Sequence, residues 1–219
     1  MDSGFVLRTP QNDDLDRSES SLMRRQFTSH AISVVAFAAI AFVPALAADN
    51  SAIKDKAAVC SGCHGENGIS QTENIPSLAG QPDQFIQWQL VFFRAGSRKN
   101  DQMQPIAEEI TNEDIRNFGA YFSQMTPPKG AEDNDPDLSK KGAQVAIGRR
   151  CASCHTDSFA GTKAVARLAG QREEYLVKAL HDYKAGTRVG GGVAAMADVA
   201  YHMSDEEITA VSHYLAYFK

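Results

Sequence analysis

The sequence predicts an all-α chain in which one helical domain is written twice, and three observations predict it. Residues 78–98, "LAGQPDQFIQWQLVFFRAGSR", match residues 168–188, "LAGQREEYLVKALHDYKAGTR", without a gap, and self-similarity of this kind precedes any other fold argument. Apolar residues in both stretches recur at three-four spacing, the mark of an amphipathic helix: Phe85, Ile86, Leu90 and Phe93 in one, Tyr175, Leu176, Ala179, Leu180 and Tyr183 in the other. All 4 cysteines fall into two Cys-x-x-Cys pairs, each followed at once by histidine. No convincing run of alternating strand residues interrupts this pattern.

Taken in chain order, residues 1–47 form a leader. From Met23, "MRRQFTSHAISVVAFAAIAFVPALAADN" has a basic start, an apolar run over 31–43 and the small residues Ala45, Leu46 and Ala47 before Ala48. That is the layout of a secretory signal peptide over 23–47. Its apolar run falls short of the roughly 20 residues that span a bilayer, so an anchor is the weaker reading. The extension 1–22 carries Asp2, Asp13, Asp14, Asp16 and Glu19 against Arg8 and Arg17. Acid does not suit the start of a signal peptide, and translation is expected to begin at Met23.

The first domain is expected over 48–125 and the second over 140–219. Residues 52–60 and 140–151 are predicted as opening helices that run into the cysteine motifs. Gly96 and Gly186 stop the middle helices as C-terminal glycines do. Thr111 with Asp114, and Ser204 with Glu207, are N-terminal capping pairs for the last helices. Between the domains, "TPPKGAEDNDPDLS" (126–139) is rich in Pro, Asp and Gly and reads as an exposed linker. Domains of roughly 80 residues bury too little apolar surface to be more than marginal alone. Each therefore calls for something at its centre.

The cysteine motifs supply it. Residues three apart on a helix share a face, so Cys60 and Cys63 can accept both vinyl groups on one edge of a haem as thioethers, with His64 projecting over the ring toward iron. Cys151, Cys154 and His155 repeat the arrangement, and Cys-x-x-Cys-His marks c-type haem attachment. A redox dithiol needs no adjacent histidine, and a zinc ribbon sets its pairs only roughly 15–20 residues apart. Two haem c groups are thus the expected cofactors. No cysteine remains for a structural disulfide.

Histidine fills one axial position of each iron, and methionine in the other makes an electron carrier by raising the potential. Met103 and Met196 stand at the same distance before the equivalent Ile115 and Ile208. They are the paired candidates, each in a loop-like stretch after a Gly-terminated helix. Met203 faces Ile110 in the repeat and is assigned to packing; Met125 sits at the linker. His181, His202 and His213 occur only in the second half and read as surface or satisfied residues, His202 being the dissenting candidate for the second iron. The carbonyl of Pro76 is the candidate acceptor for the other ring nitrogen of His64. Ala166 stands where its counterpart would fall, which predicts modestly different potentials. Arg98 and Arg188, read as surface arginines, could pair with haem propionates.

Together, "CSGCH", "CASCH", the twin "LAGQ" stretches and "MQPIAEEITNEDI" resemble the dihaem cytochrome c4 family across residues 48–219. The resemblance implies tandem class I cytochrome c domains, each enclosing one covalently bound haem, with the haems facing each other across the interface. It implies a periplasmic carrier that moves single electrons from a quinol-oxidising complex or dehydrogenase to a terminal oxidase or other acceptor. Its partners would be redox proteins, above all a membrane respiratory complex, and association with the membrane surface would suit that role. Departures are Ala166 in place of proline and the glycine-rich "VGGGVAAM" before Met196. A cytochrome subunit of a larger dehydrogenase, such as a sulfide-oxidising flavocytochrome, is the alternative. A peroxidase would need a labile sixth ligand and an acid-base pair that the sequence does not offer, so no catalytic residue and no small-molecule substrate are expected. The net charge of −5 argues against nucleic acid.

Overall fold

The computed structural model describes residues 50–190 and 194–219. The expected signal peptide, its cleavage site and part of the glycine-rich approach to Met196 lie outside them. Nine helices make up the described residues: α1 (Asn50–His64), α2 (Asp83–Arg94), α3 (Met103–Glu109), α4 (Asn112–Ser123), α5 (Pro136–Gly148), α6 (Ala152–His155), α7 (Glu173–Lys184), α8 (Ala194–Tyr201) and α9 (Asp205–Ala216). Among them no strand forms, and extended pairing is confined to two isolated bridges, Arg98 with Arg188 and Thr162 with Val165. No described helix is long and apolar enough to cross a membrane.

The stretches that match in sequence take matching local structure. Helices α2 and α7 start and stop at matching positions and end with glycine in the left-handed region, Gly96 at φ 67° and Gly186 at φ 68°. Both final helices carry the predicted capping box. Thr111 Oγ1 accepts from Asp114 N–H while the Asp114 carboxylate accepts from Thr111 N–H; Ser204 and Glu207 do the same. The first half gathers Ile53, Ala57, Ile86, Phe118 and Phe122 into a core. The second packs Ala146, Phe159, Leu176, Ile208, Val211 and Leu215. In the second core, α5 meets α9 so closely that a Cβ on Gly142 would stand 2.0 Å from the Ala210 carbonyl oxygen. Glycine there is a condition of the packing.

Three expectations are corrected. The opening helix of the second half begins at Pro136, inside the predicted linker, because Asp135 caps it and proline suits the first helical turn. It also stops at Gly148 instead of running into the motif. Arg150 turns to φ 55° and a separate short helix, α6, delivers His155. The stretches holding Met103 and Met196, expected as loops, are the first turns of α3 and α8. The linker region is partly anchored: Pro127 packs on Gly80, and Gly130 lies against the Tyr217 and Phe218 carbonyls.

Candidate functional site

Both cysteine motifs and both paired methionines line a cavity. Cys60, Cys63, His64 and Met103, and likewise Cys151, Cys154, His155 and Met196, line one continuous cavity of about 920 Å³ that extends through both halves. This is the upper end of the roughly 300–1,000 Å³ range of small-molecule sites. Burial pushes the Cys60 and Cys151 thiols above their ordinary pKa.

The histidines are set in one defined state. His64 Nδ1 lies 2.8 Å from the Pro76 carbonyl oxygen, and His155 Nδ1 lies 2.8 Å from that of Ala166. A carbonyl only accepts, so Nδ1 must carry the proton, which leaves the Nε2 lone pair for a metal. Burial lowers both imidazole pKa values, more than the backbone bond raises them. Neutral imidazole is the form that ligates. The equal distances show that alanine serves as well as proline in supplying the acceptor.

Arg98 and Arg188 are not surface arginines. They meet between the halves, where Arg188 is 5% exposed and each guanidinium lies over a ring of its own half, Arg98 on Phe93 at 4.3 Å and Arg188 on Tyr183 at 4.5 Å. Both share the same two acceptors. Arg98 donates to Gln89 Oε1 at 2.6 Å and to the Tyr175 hydroxyl at 3.1 Å; Arg188 donates to them at 3.1 Å and 3.4 Å. Burial alone would raise the Tyr175 pKa, but the Arg188 and Arg98 charges beside it bring it to about 8. Among the described residues neither arginine has a carboxylate at ion-pair distance, and Arg188 Nε is buried without a hydrogen-bond partner. Buried charge is costly unless it is paired. Two uncompensated cations in the wall of an apolar cavity fit a cofactor that brings its own carboxylates, as haem does.

The other candidates separate cleanly. Met203 is 4% exposed and packs in the second core. Met125 packs beside the first core. His202 is exposed, edge-on to Tyr201, and absent from the cavity wall; His181 is exposed. His213 is 3% exposed and satisfied, with Nδ1 3.1 Å from Glu173 Oε2 and Nε2 3.1 Å from Asp133 Oδ1.

Sequence reasoning missed the clasp that joins the halves. Gln171 accepts from Ser77 N–H at 2.8 Å and donates to the Ser77 carbonyl at 2.9 Å. Gln81 accepts from Arg167 N–H at 3.0 Å and donates to the Arg167 carbonyl at 2.8 Å. The signal was present, since both glutamines close a repeated "LAGQ", but a repeated polar residue does not say what it touches.

Comparisons with known proteins show the family. The family model described as cytochrome c matches residues 139–219. Cytochrome c4 of Azotobacter vinelandii is 32% identical over 188 residues, covering 77% of this chain and 89% of that protein. The thiosulfate dehydrogenase electron acceptor of Stutzerimonas stutzeri (strain A1501) is 32% identical over 170 residues, covering 73% of this chain and 79% of that one. The crystal structure of reduced recombinant cytochrome c4 from Pseudomonas stutzeri superimposes with a TM-score of 0.71 at 30% identity, covering 78% of this chain and 99% of that one. With paired Cys-x-x-Cys-His sites, twin helical halves and relatives of this identity and coverage, the chain belongs to the cytochrome c4 family of dihaem c-type electron-transfer cytochromes.

Proposed function

We propose that the protein is a periplasmic carrier that moves single electrons between a quinol-oxidising complex or dehydrogenase and a terminal oxidase or other acceptor, without catalysis of its own. Bound haem supplies an iron that takes up and gives back one electron. The chain does the rest. Cys60 with Cys63, and Cys151 with Cys154, hold the two haems covalently. His64 and His155 offer Nε2 to the irons in the neutral tautomer set by Pro76 and Ala166. Met103 and Met196 would each offer a thioether to an iron, and such a ligand would favour the reduced state. Arg98 and Arg188 meet the propionates and offset their charge. Held by histidine and methionine together, the irons would offer no open position to a substrate, and their ligands would not need to move when the electron does.

The single observation that carries this reading is the placement of a neutral histidine and a methionine on the walls of one cavity in both halves. Export through the leader fits attachment of haem outside the cytoplasm. Encounter with redox partners should be brief, through a small interface steered by charge. Absorption spectroscopy of the ferric holoprotein tests the ligand set. Met103→Ala and Met196→Ala should each remove about half of the methionine–iron charge-transfer band, a loss of one in two equivalent ligands, whereas His202→Ala leaves it whole. A full band in Met196→Ala with loss in His202→Ala would overturn the second ligand.

The similarity to a thiosulfate dehydrogenase electron acceptor favours one alternative, service as the cytochrome partner of a dehydrogenase. Purification from periplasm as a lone species or in a stable enzyme complex separates the two.

A further inference from the structure

The clasp between the halves does more than join them. Ser77 N–H and the Pro76 carbonyl are two ends of one planar peptide unit. Gln171 Oε1 accepts from that N–H at 2.8 Å, and the carbonyl accepts from His64 Nδ1 at 2.8 Å. The chain of bonds thus runs from the second half, through a single peptide group, to the axial histidine of the first. The second peptide unit is built the same way in reverse: Gln81 Oε1 takes Arg167 N–H at 3.0 Å while the Ala166 carbonyl takes His155 Nδ1 at 2.8 Å. The glutamines and Ser77 are shielded from water, Gln81 at 4%, Gln171 at 5% and Ser77 at 2% exposure, while Pro76, Ala166 and Arg167 are half-buried. The first unit is held still more firmly, since Ser77 Oγ accepts from Ser70 N–H and Arg172 of the second half donates to the Ser70 carbonyl.

We propose that Gln171 is a positioning residue for the haem of the first half and Gln81 for that of the second, each tuning the potential of the site across the interface. The proposal rests on the reading of His64 and His155 as axial ligands. Hydrogen bonds in series polarise one another, so a bond accepted by the glutamine from the peptide N–H makes the carbonyl at its other end a stronger acceptor. A stronger acceptor gives the histidine more imidazolate character, and a more basic ligand favours ferric iron. Removing the glutamine therefore raises the potential of the opposite haem. The clasp also carries information, since a change of fit at one half alters ligand strength at the other.

The test is a spectroelectrochemical titration of holoprotein in Gln171→Met and Gln81→Met, with the two haems assigned by NMR. Methionine keeps the side-chain volume and removes every hydrogen bond of the side-chain amide, including the one Gln171 Oε1 accepts from Arg172 N–H; Gln171→Ala and Gln81→Ala serve where it is not accommodated. Gln171→Met should shift the ferric-to-ferrous equilibrium of the Cys60–Cys63 haem threefold to tenfold toward ferrous, about 30–60 mV upward at 59 mV per decade. The other haem should stay in place, and Gln81→Met should give the mirror result. In the ferrous state the Nδ1–H proton of the affected histidine should move upfield. A shift confined to the haem of the altered half, equal shifts of both, or no shift overturns the proposal. NMR signatures of the axial histidine and methionine in the unaltered protein report independently on the ligand reading. If those are present while the crossed shift is absent, only the clasp fails.

Discussion

The two halves deliver the same group of residues from different backbones. In the first, α1 runs unbroken from Asn50 through the cysteine motif to His64. In the second, the helix ends at Gly148, Arg149 and Arg150 turn the chain, and α6 restarts it for one turn. Arg150 holds φ 55° to do so, a region L-residues occupy only at a cost. The acceptor residue differs too, proline in one half and alanine in the other. Yet both histidines meet their acceptor at the same 2.8 Å. What the fold keeps is the peptide unit behind each histidine and the glutamine that grips it. The route by which the histidine arrives is free to vary.

The largest expected effect removes a haem altogether. Cys151→Ser with Cys154→Ser should leave one covalent haem by mass spectrometry and abolish cooperative melting of the second half, whose core is built around the cavity. The same change at Cys60 and Cys63 should spare the second half. A sharp unchanged melt in either variant would show that the apolar cores suffice without cofactor.

A smaller effect tests the backbone difference directly. Arg150→Gly should stabilise the second half by about 0.5 kcal/mol, the relief of a left-handed arginine less the added freedom of glycine in the unfolded chain. Val59→Gly, at the corresponding place before Cys60 but inside α1, should destabilise the first half by about 0.5 kcal/mol. Opposite signs in thermal denaturation confirm that one chain is turned where the other is helical; equal signs refute it.

The smallest effect belongs to a contact made in the second half alone. Burial pushes the His213 imidazole down, but Asp133 and Glu173 outweigh it and its pKa rises above the ordinary value. A raised folded pKa contributes stability that is fully present below the unfolded value, about 6.5, and is lost as pH climbs through the folded value. His213→Ala should therefore cost more at pH 6 than at pH 9, measured as the difference in melting temperature. An equal cost at both would mean that the imidazole packs without its charge mattering.

Much of this was legible before any coordinates. Helix type, the duplicate register, both capping boxes and the pairing of Met103 with Met196 rest on neighbours within a few turns or on the repeat itself. The break at Arg149–Arg150 was not legible, since the residues read as continued helix and only the folded backbone shows the turn. Nor were the places of Arg98 and Arg188, which local pattern assigned to the surface.

The sequence by itself determined that the chain is helical, doubled, and equipped twice for covalent haem, because spacing along one helix decides which side chains share a face. Only the tertiary structure decided that Gln171 answers to a peptide 94 residues away and Gln81 to one 86 residues away. It alone brought the buried Arg188 and the half-buried Arg98 to a common tyrosine and glutamine. Contacts of that separation are chosen by how whole faces pack, and no local periodicity records them.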